Sequence, residues 1–191
     1  MKVIFLDIDG VLATDKEFMT NRTKFRKKNP EMDELKVPYP WNKDAVKVFN
    51  EILDMTDADI VLSSDWKLHW NLDELKKIFE WNGVKKHPIA VTNNEYTSIS
   101  NLTMNRAAEI EDYVRDNDLK NYVVIDDLNV GKYMGLTGDD DKFFMTISGE
   151  GIKKTGLKDS NGKDFVEGQY IGTLIDGTAL DYTTVIDNVY K

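Results

Sequence analysis

Residues 5–12 read Phe5-Leu6-Asp7-Ile8-Asp9-Gly10-Val11-Leu12, and they follow directly on Val3 and Ile4. An apolar run this short, partly β-branched and ended abruptly by an aspartate, predicts a strand buried on both faces. Gly10 opens the turn after it. Asp7 and Asp9 are two residues apart, so at the end of an extended chain their carboxylates point to the same side, or diverge slightly once the chain bends. Two negative charges held there repel each other unless a cation compensates, and hard oxygen ligands suit magnesium. The competing reading is a solvated Asp-Gly turn; the buried strand in front of it argues against that. An EF-hand loop is rejected, because Val11, Leu12 and Ala13 follow where further oxygen ligands would be required.

Two more runs share this design. Asp59–Leu62 leads into Ser63-Ser64-Asp65-Trp66-Lys67, and Tyr122–Ile125 leads into Asp126-Asp127-Leu128-Asn129. Helical periodicity lies between them: about 43–55, with Ala45, Val46, Phe49, Ile52 and Leu53 on one face; about 72–81; and about 105–116, with Ala108, Ile110, Tyr113 and Val114. Strand and helix in alternation predict an α/β fold, a Rossmann-like parallel sheet flanked by helices. In such sheets ligands bind at the carboxyl ends of the strands, which is where the polar residues stand.

The 191 residues suffice for one sizeable core, and 1–191 is read as a single domain. Residues 13–41 break the rhythm, being highly charged and punctuated by Pro30, Pro38 and Pro40. They are expected to form a small insertion after the first strand, a cap over the site. Residues 150–191 are expected to be an extension packed on the core. Turns are expected there at Ser160-Asn161-Gly162 and Asp176-Gly177, with a strand over Gln169–Ile175 and a final helix from about Thr178 to Val189.

Charge and composition narrow the chemistry. With 25 Lys and Arg against 34 Asp and Glu, the net charge is −9, which repels a long duplex; a small phosphorylated molecule or a strand end remains compatible if a metal reverses the local sign. The absence of cysteine removes disulfides, thiolate zinc and a cysteine nucleophile, and two histidines leave little for a zinc cluster. No stretch approaches the length of a membrane span, and a soluble, cytoplasmic protein is expected.

Three further places bear on phosphate. Ser63 and Ser64 follow the second strand, where a hydroxyl and backbone N–H groups would hold phosphate oxygens, although two such serines also suit a helix cap. Asp126 and Asp127 end another strand and would complete a magnesium oxygen shell. Arg106 begins the helix before that strand and is placed to bring a guanidinium to a phosphate, or is a plain surface arginine.

Asp7-Ile8-Asp9-Gly10-Val11, a strand ending in serine, a basic residue and a strand ending in Asp126-Asp127 together resemble the haloacid dehalogenase-like (HAD) superfamily. The resemblance spans roughly residues 1–129. The wording FLDIDGVL, IVLSSDWK, RAAEI and VVIDD looks most like small phosphatase domains of nucleic-acid repair proteins, including polynucleotide kinase-phosphatases. It implies Asp7 as nucleophile and metal ligand. Asp9 would be the acid/base and ligate magnesium through its backbone carbonyl, and Asp126 would be the remaining ligand. It implies Ser63 and the backbone of Ser64 as phosphoryl-binding groups and Arg106 as the basic residue of the third motif, with Lys67 and Lys132 as alternatives for that role; whether Asp127 reaches the metal is left open. The expected activity is a magnesium-dependent phosphomonoesterase acting through an aspartyl-phosphate on a nucleotide or a nucleic-acid terminal phosphate. A non-catalytic phosphate-binding module of the same fold and a phosphotransferase to another acceptor are the alternatives.

Trp41, Trp66, Trp70 and Trp81 are expected mainly in packing, with Trp66, three residues beyond Ser63, placed to line the pocket. His69 and His87 lack metal-ligand spacing. The Asp139-Asp140-Asp141 run is taken as a solvated loop, and Arg22, Lys24, Arg26, Lys27 and Lys28 as either a solvated helix face or a grip for a strand end.

Overall fold

A computed structural model describes residues 1–96, 101–136, 142–158, 164–167 and 180–181. Five strands form one parallel sheet: β1 (Lys2–Leu6), β2 (Asp59–Leu62), β3 (Pro88–Val91), β4 (Asn121–Asp126) and β5 (Phe143–Met145), in the order β3-β2-β1-β4-β5. The chain is therefore an α/β protein with a parallel sheet flanked by helices. The three strands expected from their apolar runs are the three central ones. β3 and β5 lie at the edges and went unread.

The central position of β1 explains its composition. Val3, Ile4, Phe5 and Leu6 are all fully buried, because layers of side chains cover both faces of the sheet. Ile4 and Leu6 join a large cluster with Phe49, Ile52, Ile60, Leu62 and Phe79; Val3 and Phe5 join another with Ala107, Ile110 and Val124. Phe5 meets Tyr113 and Tyr122 edge-on at 5.6 and 5.8 Å. Truncating such a buried phenylalanine to alanine costs about 3–5 kcal/mol.

The helices on the large-cluster side begin with side-chain caps. α4 (Lys43–Thr56) starts where Asn42 accepts from the N–H groups of Asp44 and Ala45, and it ends at Asp57 in the left-handed region. α5 (Leu72–Trp81) starts with a reciprocal cap between Asn71 and Glu74. Both match their periodicity within a residue.

On the opposite face, α6 (Leu102–Asp116) begins three residues earlier than expected, at the Asn101 cap; the apolar residues of its first turn, Leu102 and Met104, are exposed and do not continue the buried stripe. Its buried residues are Arg106, Ala107, Glu109 and Ile110, while Tyr113 and Val114 pack partly buried at its far end. Arg106 thus lies inside the helix rather than at its start.

Between β1 and α4 the insertion folds into three short helices, α1 (Asp15–Phe18), α2 (Arg22–Lys28) and α3 (Pro30–Glu34). Phe25, Met32, Val37, Tyr39 and Trp41 place its apolar side chains in the same cluster as β1 and α4. Beyond β5, Ile152 is buried in that cluster and its N–H donates to the Val11 carbonyl.

A small antiparallel sheet follows, of β6 (Lys153–Lys158), β7 (Asp164–Glu167) and β8 (Leu180–Asp181). Leu180 and Asp181 pair with Val166 and Phe165, which corrects the expected helix at those two residues: ladder hydrogen bonds to a distant strand override local helical preference. The Asp139–Asp141 run, the turns at Ser160-Asn161-Gly162 and Asp176-Gly177 and the expected Gln169–Ile175 strand lie outside the described residues. No helix among the described residues is long and apolar enough to cross a membrane.

Candidate active site

Strand register builds the site. Leu6 is level with Leu62 on one side and Ile125 on the other. Pairing continues one residue further, since Asp7 N–H donates to the Ile125 carbonyl and Ser63 N–H to the Leu6 carbonyl, each at 3.0 Å. Asp7, Ser63 and Asp126 consequently stand side by side at the carboxyl edge of the sheet. Side chains alternate along a strand, so Asp7 and Asp126 continue the rows of Phe5 and Val124, which face α6. From α6, Arg106 reaches these carboxylates.

Arg106 is 95 % buried and still carries a full charge, which three carboxylates sustain. Its Nη1 lies 3.1 Å from Asp7 Oδ2 and 3.0 Å from Asp126 Oδ2; its Nη2 lies 3.0 Å from Asp65 Oδ1. Burial opposes its charge, and the attraction of Asp7, Asp126 and Asp65 outweighs burial and keeps it protonated.

The acids are less well served. Burial pushes the Asp7 carboxyl well above the usual carboxylate range, and the charge of Asp126 pushes it further, against the pull of Arg106. Burial raises Asp126 to about 6 despite Arg106 and the Leu128 N–H that donates to its Oδ1 at 2.8 Å. Asp127 is likewise raised by burial.

Asp7, Asp126 and Asp127 each present a carboxylate oxygen within 4.8 Å of the others. Asp7 Oδ1 and Ser63 Oγ are buried without a hydrogen-bond partner, and Ser64 Oγ lies beside Asp7 without forming a well-shaped hydrogen bond. Orphaned polar atoms and poorly compensated carboxylates at one point mark a place built for something further. The donor set fits a small hard cation such as magnesium, which accepts oxygen ligands and keeps several waters.

Asp127 explains the glycine before it in space. Gly10 has φ +77°, and a Cβ there would stand 2.2 Å from Asp127 Oδ2. Thr146 holds the same loop from beneath: its N–H donates to the Asp126 carbonyl at 2.9 Å, and its hydroxyl to the Gly10 carbonyl at 2.7 Å.

Asp9 turns to the other side, towards the insertion. Tyr39 donates to its Oδ1 at 2.7 Å and the Trp66 indole N–H to its Oδ2 at 3.1 Å. Burial and the Asp9 carboxylate both push the Tyr39 phenol upwards, so Tyr39 stays a donor. Trp66 therefore both packs in the core and lines the site.

The structure brings Asp7, Ser63, Ser64, Arg106 and Asp126 together and adds Asp127, while the Asp9 carboxylate turns from them to Tyr39 and Trp66. Lys67, close to Arg106 and Asp65, and Lys132 are engaged with other partners. Lys67 pairs with Glu109 and donates to Thr92 Oγ1 at 2.7 Å and the Asn93 carbonyl at 2.8 Å. Lys132 is exposed and lies over the Tyr133 ring.

Sequence reasoning missed Tyr39 and Asp65. The available signal for Tyr39 was an aromatic residue fixed between Pro38 and Pro40 within a charged insertion.

A family profile described as the HAD domain in Swiss Army Knife RNA repair proteins matches residues 3–156. The chain belongs to that family. It is a HAD domain, with the general character of a HAD-type phosphohydrolase, and the match runs from the first strand through the whole five-stranded sheet into β6. No curated protein and no solved structure matches the chain significantly.

Proposed function

We propose that this HAD domain is a magnesium-dependent phosphomonoesterase that works through an aspartyl-phosphate on Asp7, on a nucleotide or the phosphorylated end of a nucleic acid. The observation that carries the reading is the meeting, at level strand ends, of an unpartnered Asp7 Oδ1, the Ser63 and Ser64 hydroxyls, a buried guanidinium and two further carboxylates.

In this mechanism Arg106 holds Asp7 by Oδ2 and leaves Oδ1 to attack. The Ser63 and Ser64 hydroxyls donate to the phosphoryl oxygens, and Arg106 offsets part of their charge. Asp7 Oδ1 bonds to phosphorus as the ester P–O bond breaks, and the leaving oxygen takes a proton from Asp9. Water then attacks the phosphorus, its proton passes to Asp9, and the bond to Asp7 breaks to release inorganic phosphate. Magnesium held by Asp7, Asp126, Asp127 and the Asp9 carbonyl would offset the repulsion between carboxylates and phosphate. Tyr39 and Trp66 fix the orientation of Asp9, and residues 13–41 serve as the cap that delivers Tyr39.

The family description favours RNA ends among the phosphate esters. The test is phosphate release, with and without magnesium, from nucleoside monophosphates, 3′-phosphorylated oligonucleotides and sugar phosphates. Asp7→Asn is expected to lower turnover on the order of 10⁴-fold while the protein stays folded. Turnover surviving in that variant, or turnover independent of magnesium, sinks the proposal.

A further inference from the structure

A groove of about 450 Å³ is lined by Asp9, by the Tyr39 and Trp66 that hold it, and by Asp65. One wall is aromatic, with Trp66, Trp70 and Tyr39; Trp66 and Trp70 lie 4.7 Å apart at 34°, and Trp70 is only half-buried. The groove is also lined by basic residues, Arg22 and Arg26 from α2 and Lys36 after α3. Asp65 also lines the groove, but its carboxylate is engaged by Arg106. Arg26 is partly committed, its Nη2 donating to the Lys36 carbonyl at 3.3 Å and its Nε facing Asp33 at 3.5 Å. Arg22 has no ion-pair partner among the described residues, and its charge is felt at the Tyr39 hydroxyl.

The groove's place determines its occupant. If Asp9 protonates the leaving oxygen, the group that departs lies on Asp9's open side, and this groove is the space there. Its chemistry then describes that group: a flat ring for the indoles, and an anion for an unpaired arginine.

We propose that this groove receives the departing nucleoside, its base on the half-buried Trp70, which Trp66 backs from the core, and a second, uncleaved phosphate on Arg22 and Arg26. The preferred substrate thus carries two phosphates on one nucleotide, as the phosphorylated end of a strand does. This rests on the phosphatase reading only for the direction of departure; the binding chemistry stands on the groove.

The test separates the two. Adenosine 5′-monophosphate, adenosine and ribose 5-phosphate are titrated into the full chain by calorimetry with chelator present, where the uncompensated carboxylates repel phosphate and binding reports the groove. Adenosine 5′-monophosphate is expected to bind about tenfold or more tightly than either fragment. The double variant Arg22→Ala, Arg26→Ala, with both residues on the surface of α2, is expected to bind it no better than adenosine. Equal affinity for the nucleotide and either fragment overturns the proposal, as does native affinity in the variant.

With magnesium, adenosine 3′,5′-bisphosphate is expected to be cleaved with about tenfold higher kcat/KM than adenosine 3′-monophosphate, and the variant to lose that preference. Equal rates in the native chain overturn the two-phosphate assignment. Phosphate release from neither, alongside tight nucleotide binding, would instead refute the phosphatase reading and leave the groove's ligand established.

Discussion

Tyr39 donates a 2.7 Å hydrogen bond to Asp9 Oδ1 across thirty residues of chain. The insertion is thereby coupled to the carboxylate proposed to move the proton. Removing the phenol oxygen leaves Asp9 with Trp66 as its remaining side-chain donor and a looser orientation. Tyr39→Phe is expected to reduce kcat about tenfold on a nucleotide, whose alkoxide needs a proton, and less on p-nitrophenyl phosphate, whose phenolate does not. Equal losses on both substrates in steady-state assays would place Tyr39 in packing alone.

Gly10→Ala sets a methyl group against Asp127 and asks a side chain to adopt φ +77°. The Thr146 hydroxyl on the Gly10 carbonyl restrains the loop from moving aside. The variant is expected to lose about 1–2 kcal/mol in urea unfolding and to weaken magnesium binding at least tenfold by calorimetry. Native magnesium affinity in a folded variant would remove Asp127 from the metal shell.

Lys67 and Glu109 form an ion pair with both side chains more than 90 % buried. Burial lowers the Lys67 pKa, and Glu109 opposes that. Lys67→Met strands the Glu109 charge and is expected to destabilise the fold by about 3–5 kcal/mol. Adding Glu109→Leu should restore most of that in denaturant unfolding. A negligible loss in the single variant would show the pair to be solvated.

Magnesium is expected to raise the unfolding temperature, because a cation among Asp7, Asp126 and Asp127 relieves carboxylates that burial disfavours. At a hundredfold excess over its dissociation constant the gain is about 2.7 kcal/mol. Asp126→Asn should shrink it. Equal shifts in both proteins, measured calorimetrically, would locate the ion elsewhere.

The central strands were legible because a strand covered on both faces must be apolar throughout, and the motifs at their ends follow without a gap. β3 was not legible: its Ile89 is 45 % exposed at the edge of the sheet, and Pro88 reads as a breaker. β5 has three residues, too few for a period. Arg106 was found as a residue type near a strand, but its burial inside α6 arises from the three carboxylates that converge on it. Tyr39 belongs to no motif, because its role depends on how the insertion folds back.

The register that sets Leu6 level with Leu62 and Ile125 makes the site a property of the finished chain. Asp7 follows β1, whereas Asp126 and Asp127 come at the end of β4, with β2, β3 and α6 between them in the chain. A polypeptide that stops short of β4 therefore holds no assembled acidic cluster and leaves Arg106 without the Asp126 carboxylate. A slip of one residue in either pairing of β1 has the same effect, because it turns a carboxylate from α6 towards the opposite core.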